Sequence, residues 1–199
     1  MATPLPTRLY LVGGAAIGHH LGHRTSLDLD LFTEASDAGL STVRAAFLRV
    51  FPDAEIVAET DVTLRIRTAD GPVDLVRYPY PLLEPLQSGP EGCPVAGLRD
   101  LAVMKMSAIA KRGLRRDFWD LHEILTRCSV SLDSVMVDYV TKFGLAEANA
   151  YHVFRSLTYF ADAERDVSLP LGLTEGHWTE VKAFFEREVP QAFDRFRAE

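Results

Sequence analysis

Two aspartates one residue apart, Asp28-Leu29-Asp30, follow a Gly13-Gly14 pair after an interval of thirteen residues. Aspartates at i and i+2 of a strand project to one face, and like charges that close are costly unless a cation lies between them. A helix starting directly after Gly-Gly offers unpaired backbone N–H groups and the positive end of its dipole, which suits a phosphate. Glycine lets the phosphate come close because no Cβ intervenes. Asp74, in Val73-Asp74-Leu75, is a candidate third carboxylate if its strand lies beside that of Asp28. Three carboxylates can hold two magnesium ions, the arrangement that activates an attacking oxygen and stabilises a leaving pyrophosphate. Taken singly, Asp-x-Asp reads as a solvated strand face and Gly-Gly as a turn. A dinucleotide-binding unit competes, since Gly13, Gly14 and Gly18 follow a strand, but G-x-G-x-x-G is absent. Occurring jointly and in this order, the residues point to a nucleotide-and-metal site.

The elements that must position these residues are short. Arg8 to Val12 reads as a strand, Ala15 to Leu21 as a helix, and Asp28 to Phe32 as a strand alternating acidic and apolar residues. Ser41 caps a helix over Val43 to Val50 that ends at Phe51-Pro52. After Glu55 to Glu59, a hairpin is predicted from Val62 to Thr68 and Val73 to Tyr78, turning at Asp70-Gly71. Tyr78 to Gly97, with four prolines, reads as a linker or surface loop. Helical patterns follow over 98–112, 115–128, 132–143, 146–162 and 175–198, the last interrupted at Pro190. The expected architecture is α+β: a small mixed-sheet α/β domain over 1–90, then a helical bundle over 91–199.

Further chemistry lies on the predicted helices. Lys105 precedes Arg112 by seven residues, two turns along one helical face, and Asp117 and Asp120 share a face of the next helix. By itself this reads as a charged, solvated surface with an internal Arg–Asp network. In context, Leu21-Gly-His-Arg-Thr-Ser-Leu-Asp-Leu-Asp-Leu-Phe32 after Gly13-Gly14 resembles the AbiEii/AbiGii-type nucleotidyltransferase toxins, a branch of the polymerase-β-like nucleotidyltransferase superfamily. Lys105-Met-Ser-Ala-Ile-Ala-Lys-Arg-Gly-Leu-Arg-Arg-Asp-Phe-Trp-Asp-Leu121 carries the same resemblance.

The resemblance implies a polymerase-β-like core completed by the helical bundle. Asp28 and Asp30 would bind the catalytic Mg2+, with Asp74 as third carboxylate. Gly13 and Gly14 would hold the triphosphate of an NTP, with Ser26 beside them. Lys105 would contact phosphate, Asp120 would complete the Lys…Asp site, and Arg116 and Asp117 would support it. Many relatives carry Gly-Ser where this chain has Gly-Gly, which removes a side-chain hydroxyl that could touch the nucleotide. The implied reaction is transfer of a nucleoside monophosphate to an acceptor hydroxyl, at a tRNA 3′ end, by the toxin of a bacterial pair with a cognate antitoxin. The alternatives are a small-molecule transferase of aminoglycoside type and an inactive regulatory or antitoxin module. Ser26 faces the side of the aspartates, so a phosphate on it would block nucleotide entry.

Composition agrees with a soluble globular protein and narrows the partners. Apolar residues make up 47% and charged residues 25% of the 199. No apolar run is long enough to span a bilayer, and the N-terminal residues lack a signal-peptide pattern. Cys93 and Cys128 have no metal-site spacing, so a reducing cytoplasm is expected. The net charge of −7 excludes a whole-surface nucleic-acid footprint. Between Arg99 and Arg127, however, seven basic residues oppose four acidic ones, a local excess of three that gives a polyanion one face to meet. His19, His20 and His23 are expected to form a surface cluster. Tyr151, Phe154, Tyr159, Phe160, Trp178, Phe184 and Phe185 are expected to fill the bundle core.

Overall fold

The computed structural model describes residues 9–34, 40–145, 150–165 and 169–198. Arg8 and residues 146–149, the predicted starts of a strand and a helix, lie outside them. The chain forms two compact units. Among the described residues, the first takes the chain up to His19 and from Thr25 to Gly97; the second takes His20–Arg24 and everything from Leu98 on.

The first unit is a five-stranded mixed sheet in the order β1-β2-β5-β4-β3. Its elements are β1 (Leu9–Val12), α1 (Gly13–Leu21), β2 (Leu29–Thr33), α2 (Leu40–Val50), β3 (Glu55–Glu59), β4 (Thr63–Thr68) and β5 (Gly71–Arg77). β2 and β5 run parallel, while the other neighbouring pairs are antiparallel. Strand alternation gives the sheet two unlike faces. Leu64 and Ile66 of β4, Val73 and Leu75 of β5 and Leu31 of β2 pack with Leu40, Val43 and Phe47 of α2. The residues between them, Arg65, Asp74 and Asp30, therefore fall on the opposite face.

The hairpin turns one residue earlier than predicted. Thr68 pairs with Gly71, so Ala69-Asp70 forms the two-residue loop and Gly71, at φ +139°, is the first residue of β5. The segment expected as a linker is instead bonded to β1. Leu11 N donates to Pro94 O (2.7 Å) and Ala96 N to Leu11 O (3.0 Å), while Gln87 and Val95 exchange two hydrogen bonds. Val95 and Ala96 are fully buried, and the first unit accordingly runs on to Gly97.

The second unit is helical: α3 (Leu98–Lys111), α4 (Arg115–Arg127), α5 (Leu132–Phe143), α6 (Ala150–Ser156), α7 (Ala161–Arg165) and α8 (Glu175–Ala198). Ser131 caps α5 by accepting from Ser134 N, and Gly144 closes it in the left-handed conformation. The predicted 146–162 helix is divided, its described part giving α6 and α7. α8 continues through Pro190 although proline there supplies no N–H to the turn before; buried Val189 and Ala192 hold both sides of the interruption. Phe118 of α4 lies in edge or tilted contact with Phe160, Trp178 and Phe185, a core that links α4 to α8. Tyr151 and Tyr159, expected in that core, are more than half exposed. The hydrophobic gain is greatest where whole rings are enclosed, as for Trp178 and Phe185.

Candidate active site

The first group of candidate residues belongs to the sheet unit. Gly13 ends the β1 path and starts α1 at φ +67°. A Cβ there would fall 2.1 Å from Asp30 Oδ2, so only glycine allows the helix to start against that carboxylate. Gly14 is buried behind it, and the first turn of α1 contains no acidic side chain to compete for its N–H groups. Asp30 is in register with Val12 of β1 on one side and with Asp74 of β5 on the other. The predicted neighbourhood of the Asp28 and Asp74 strands is thus realised by the β2–β5 pair. Asp28 immediately precedes β2, where Ser26 Oγ donates to the Asp28 carbonyl (3.2 Å) and ties down the entry to the strand.

Asp74 has a cationic partner that sequence reasoning did not assign. Arg65 of β4 grips it with a two-pronged fork, Nε to Oδ1 and Nη2 to Oδ2, both 2.9 Å. The hydrogen bond to Asp74 raises the Arg65 pKa, followed by the charge of Asp74; Asp30 and Asp28 add to it. All three carboxylates therefore act electrostatically on one guanidinium. Among the described residues no three or more His, Cys, Asp or Glu side chains are grouped so as to hold a metal ion. Carboxylate oxygens on neighbouring strands are donors of the type a divalent ion takes, and Arg65 is the cation drawn to them here.

The second group lies in the helical unit and is buried. Lys105 of α3 is 6% exposed, and its Nζ meets Asp117 Oδ1 at 3.0 Å and Asp120 Oδ2 at 2.8 Å. Arg112, on the same face of the chain as Lys105, binds both oxygens of Asp117 (3.0 and 3.1 Å). Asp120 also accepts from His23 Nε2 (2.8 Å) and twice from Arg24 (2.6 and 2.7 Å). Two fully buried carboxylates thus face three permanent cations. Burial by itself would raise both carboxyl pKa values. For Asp117 the Lys105 charge and the Arg112 hydrogen bond reverse that and lower its pKa; for Asp120 the Arg24 hydrogen bond and the Lys105 charge do so, leaving it well below the usual carboxylate range.

This overturns the solvated-helix reading of Asp117 and Asp120. It also removes His23 from the expected surface cluster: its side chain is 1% exposed and packs edge-on to Trp119. Nor are all the basic residues free for a polyanion. Lys105 is enclosed, and buried Arg115 is spent on Ala163 O, Glu164 and Glu175. Arg112 and Lys111 remain exposed, and Arg116 is half-buried. His23 and Arg24 sit within the quoted motif, yet nothing in their spacing to Asp120, nearly a hundred residues on, discloses the contact. Arg65 was not within reach of the predicted hairpin, because a turn at Asp70-Gly71, one residue later than the observed one, pairs Asp74 with Arg67 instead.

A family model for the nucleotidyl transferase AbiEii toxin of a type IV toxin–antitoxin system matches residues 54–199, which include Asp74, Lys105, Asp117 and Asp120. The chain is 31% identical over 195 residues to an uncharacterized protein of Aquifex aeolicus (strain VF5), covering 92% of this chain and 86% of that protein. Its fold is similar to the solution structure of the antibiotic-resistance factor ANT(2'')-Ia, with a TM-score of 0.55 and 15% identity over 73% of this chain and 87% of that one. A crystal structure of ANT(2'')-Ia with adenylyl-2''-tobramycin gives a TM-score of 0.50 and 15% identity, covering 69% and 88%. With the family model and the Aquifex relative each spanning most of its length, the chain belongs to the AbiEii nucleotidyltransferase toxin family and is a nucleotidyltransferase.

Proposed function

We propose that the protein transfers a nucleoside monophosphate from an NTP to the 3′-terminal hydroxyl of a tRNA, in a magnesium-dependent reaction, as a toxin held in check by a cognate antitoxin. The observation that carries the reading is the fit between Gly13 and Asp30: a helix N-terminus placed against a carboxylate in register with a second one, Asp74. The N–H groups of Gly13 and Gly14 are suited to the triphosphate. Asp28, Asp30 and Asp74 would hold the magnesium, which when bound supplies charge neutralisation at the α-phosphate and at the departing pyrophosphate. The acceptor oxygen forms the new bond to the α-phosphorus as the bond to pyrophosphate breaks, so positioning and electrostatics suffice and no covalent residue is needed.

Within the helical unit, Lys105 directs two of its three N–H groups to Asp117 and Asp120, leaving one for a phosphate oxygen. Asp120 is then a positioning residue that holds the ammonium in one orientation. An RNA acceptor is what the sequence resemblance implies, and exposed Lys111 and Arg112 offer it cationic groups. The small number of exposed cations implies a shallow salt dependence of RNA binding, reflecting about two to four phosphate contacts.

The test is incubation with each labelled NTP, magnesium and purified tRNA, in wild-type protein and in Asp28→Asn and Asp30→Asn variants. Label on tRNA from wild type alone, with both variants folded as wild type, is expected. Label confined to aminoglycosides or other small alcohols overturns the tRNA reading. Full activity in either variant overturns the metal assignment.

A further inference from the structure

We propose that Arg65 is a built-in counter-cation that a divalent ion must displace from Asp74: its fork clamps the third carboxylate, and metal entry opens that clamp. The inference rests on the reading of Asp28, Asp30 and Asp74 as metal donors, and assigns Arg65 the control of their affinity.

Three observations support it. First, the clamp is specified by the fold, because the Thr68–Gly71 pairing puts Arg65 directly opposite Asp74, while Asp74 lies directly beside Asp30 on β2. Arg65, Asp74 and Asp30 thus form one cross-strand row on a single sheet face. Second, the fork occupies both oxygens of Asp74. A guanidinium in that position takes the chelating edge of the carboxylate and sets a positive charge where a second cation would have to come. Third, the clamp is openable. The Arg65 side chain is 54% exposed and that of Asp74 26%, so water can solvate the arginine as it leaves. The contrast with Asp120 is instructive: its side chain is fully buried and gripped by Arg24, Lys105 and His23, and it has no such freedom.

The physical advantage lies in the mutual repulsion of the carboxylates. Carboxylates on adjacent strands repel one another, and without a cation they would be driven to take up protons or to splay apart. Arg65 satisfies Asp74 until a divalent ion arrives. It then costs some affinity for that ion, which sets a threshold on metal loading.

The experiment titrates Mn2+ into the full-length protein without nucleotide and follows the free-ion signal by electron paramagnetic resonance. Arg65→Gln is expected to bind Mn2+ about fivefold more tightly than wild type, the weight of one exposed ion pair. Arg65→Lys, keeping the charge but not the fork, should show a smaller gain. Asp74→Asn should bind more weakly than wild type, and adding Arg65→Gln to it should change the affinity by less than about twofold. Unchanged or weaker binding in Arg65→Gln overturns the inference, as does a full fivefold gain that persists without the Asp74 carboxylate. Failure of wild type to bind Mn2+ better than Asp28→Asn instead overturns the underlying metal assignment, and this inference with it.

Discussion

Replacing Asp120 by asparagine changes the chain by little more than one atom, yet it should be among the most damaging substitutions in the helical unit. Asp120 accepts four short contacts, from His23, Lys105 and twice from Arg24, and its side chain is wholly enclosed. Asparagine keeps one acceptor oxygen but turns an NH2 group toward Lys105 or Arg24, donor against donor. The enclosed cluster then holds the single carboxylate of Asp117 against Lys105, Arg24 and Arg112. Breaking a buried pair from one side costs about 3–5 kcal/mol. At about 2–4 °C per kcal/mol for a chain of this length, a loss near 4 kcal/mol lowers the melting midpoint by roughly 8–16 °C. Thermal melting by circular dichroism measures it directly. Arg24→Met removes one surplus cation, so the double variant should be more stable than the sum of the single losses by at least ~1.5 kcal/mol. A midpoint within about 3 °C of wild type for Asp120→Asn, or additivity within ~0.5 kcal/mol, would refute the clamp.

Gly13→Ala should destabilise by about 1–3 kcal/mol, since it forces a Cβ into both a left-handed backbone and the Asp30 carboxylate; a urea midpoint equal to wild type would show that the close approach is absent. Acid should weaken the helical unit. Asp117 and Asp120 have folded-state pKa values below their unfolded ones, so the unfolded chain takes protons first, and the stability they lend is complete above about pH 5 and is lost as pH falls through the folded values. Urea midpoints from pH 7 to pH 3 should show this slope, reduced in Asp120→Asn. Lys105→Ala should lower nucleotide transfer by at least ~10²-fold, and Lys105→Arg should not restore it, because a planar fork cannot replace the compact ammonium between two carboxylates; transfer by Lys105→Arg at the wild-type rate would assign Lys105 a purely electrostatic part.

Much of this molecule was determined by local sequence. Period-two alternation in Val62–Thr68 and Val73–Tyr78 marked the strands that became β4 and β5, helical periodicity marked α3 to α5, and a glycine pair after a strand marked the start of α1. These patterns are legible because each residue's side is set by its immediate neighbours through the geometry of one strand or helix. The neighbourhood of Asp30 and Asp74 was legible for a related reason: both strands were marked by alternation, and their parallel pairing brings the two carboxylates into register. The arginine that meets Asp74 was not correctly legible. A turn at Asp70-Gly71 would place Arg67 opposite Asp74, whereas the observed turn at Ala69-Asp70 places Arg65 there. Both arginines share that sheet face, so alternation cannot choose between them; the register follows from the turn, with Thr68 paired to Gly71. Tertiary structure alone also decided that Lys105, Asp117 and Asp120 are inside. Helices carrying Lys, Arg and Asp in these spacings look like solvent surface when read from their own residues. Only when His23 and Arg24 arrive from nearly a hundred residues away do enough donors surround Asp120 for a carboxylate to remain ionised out of water.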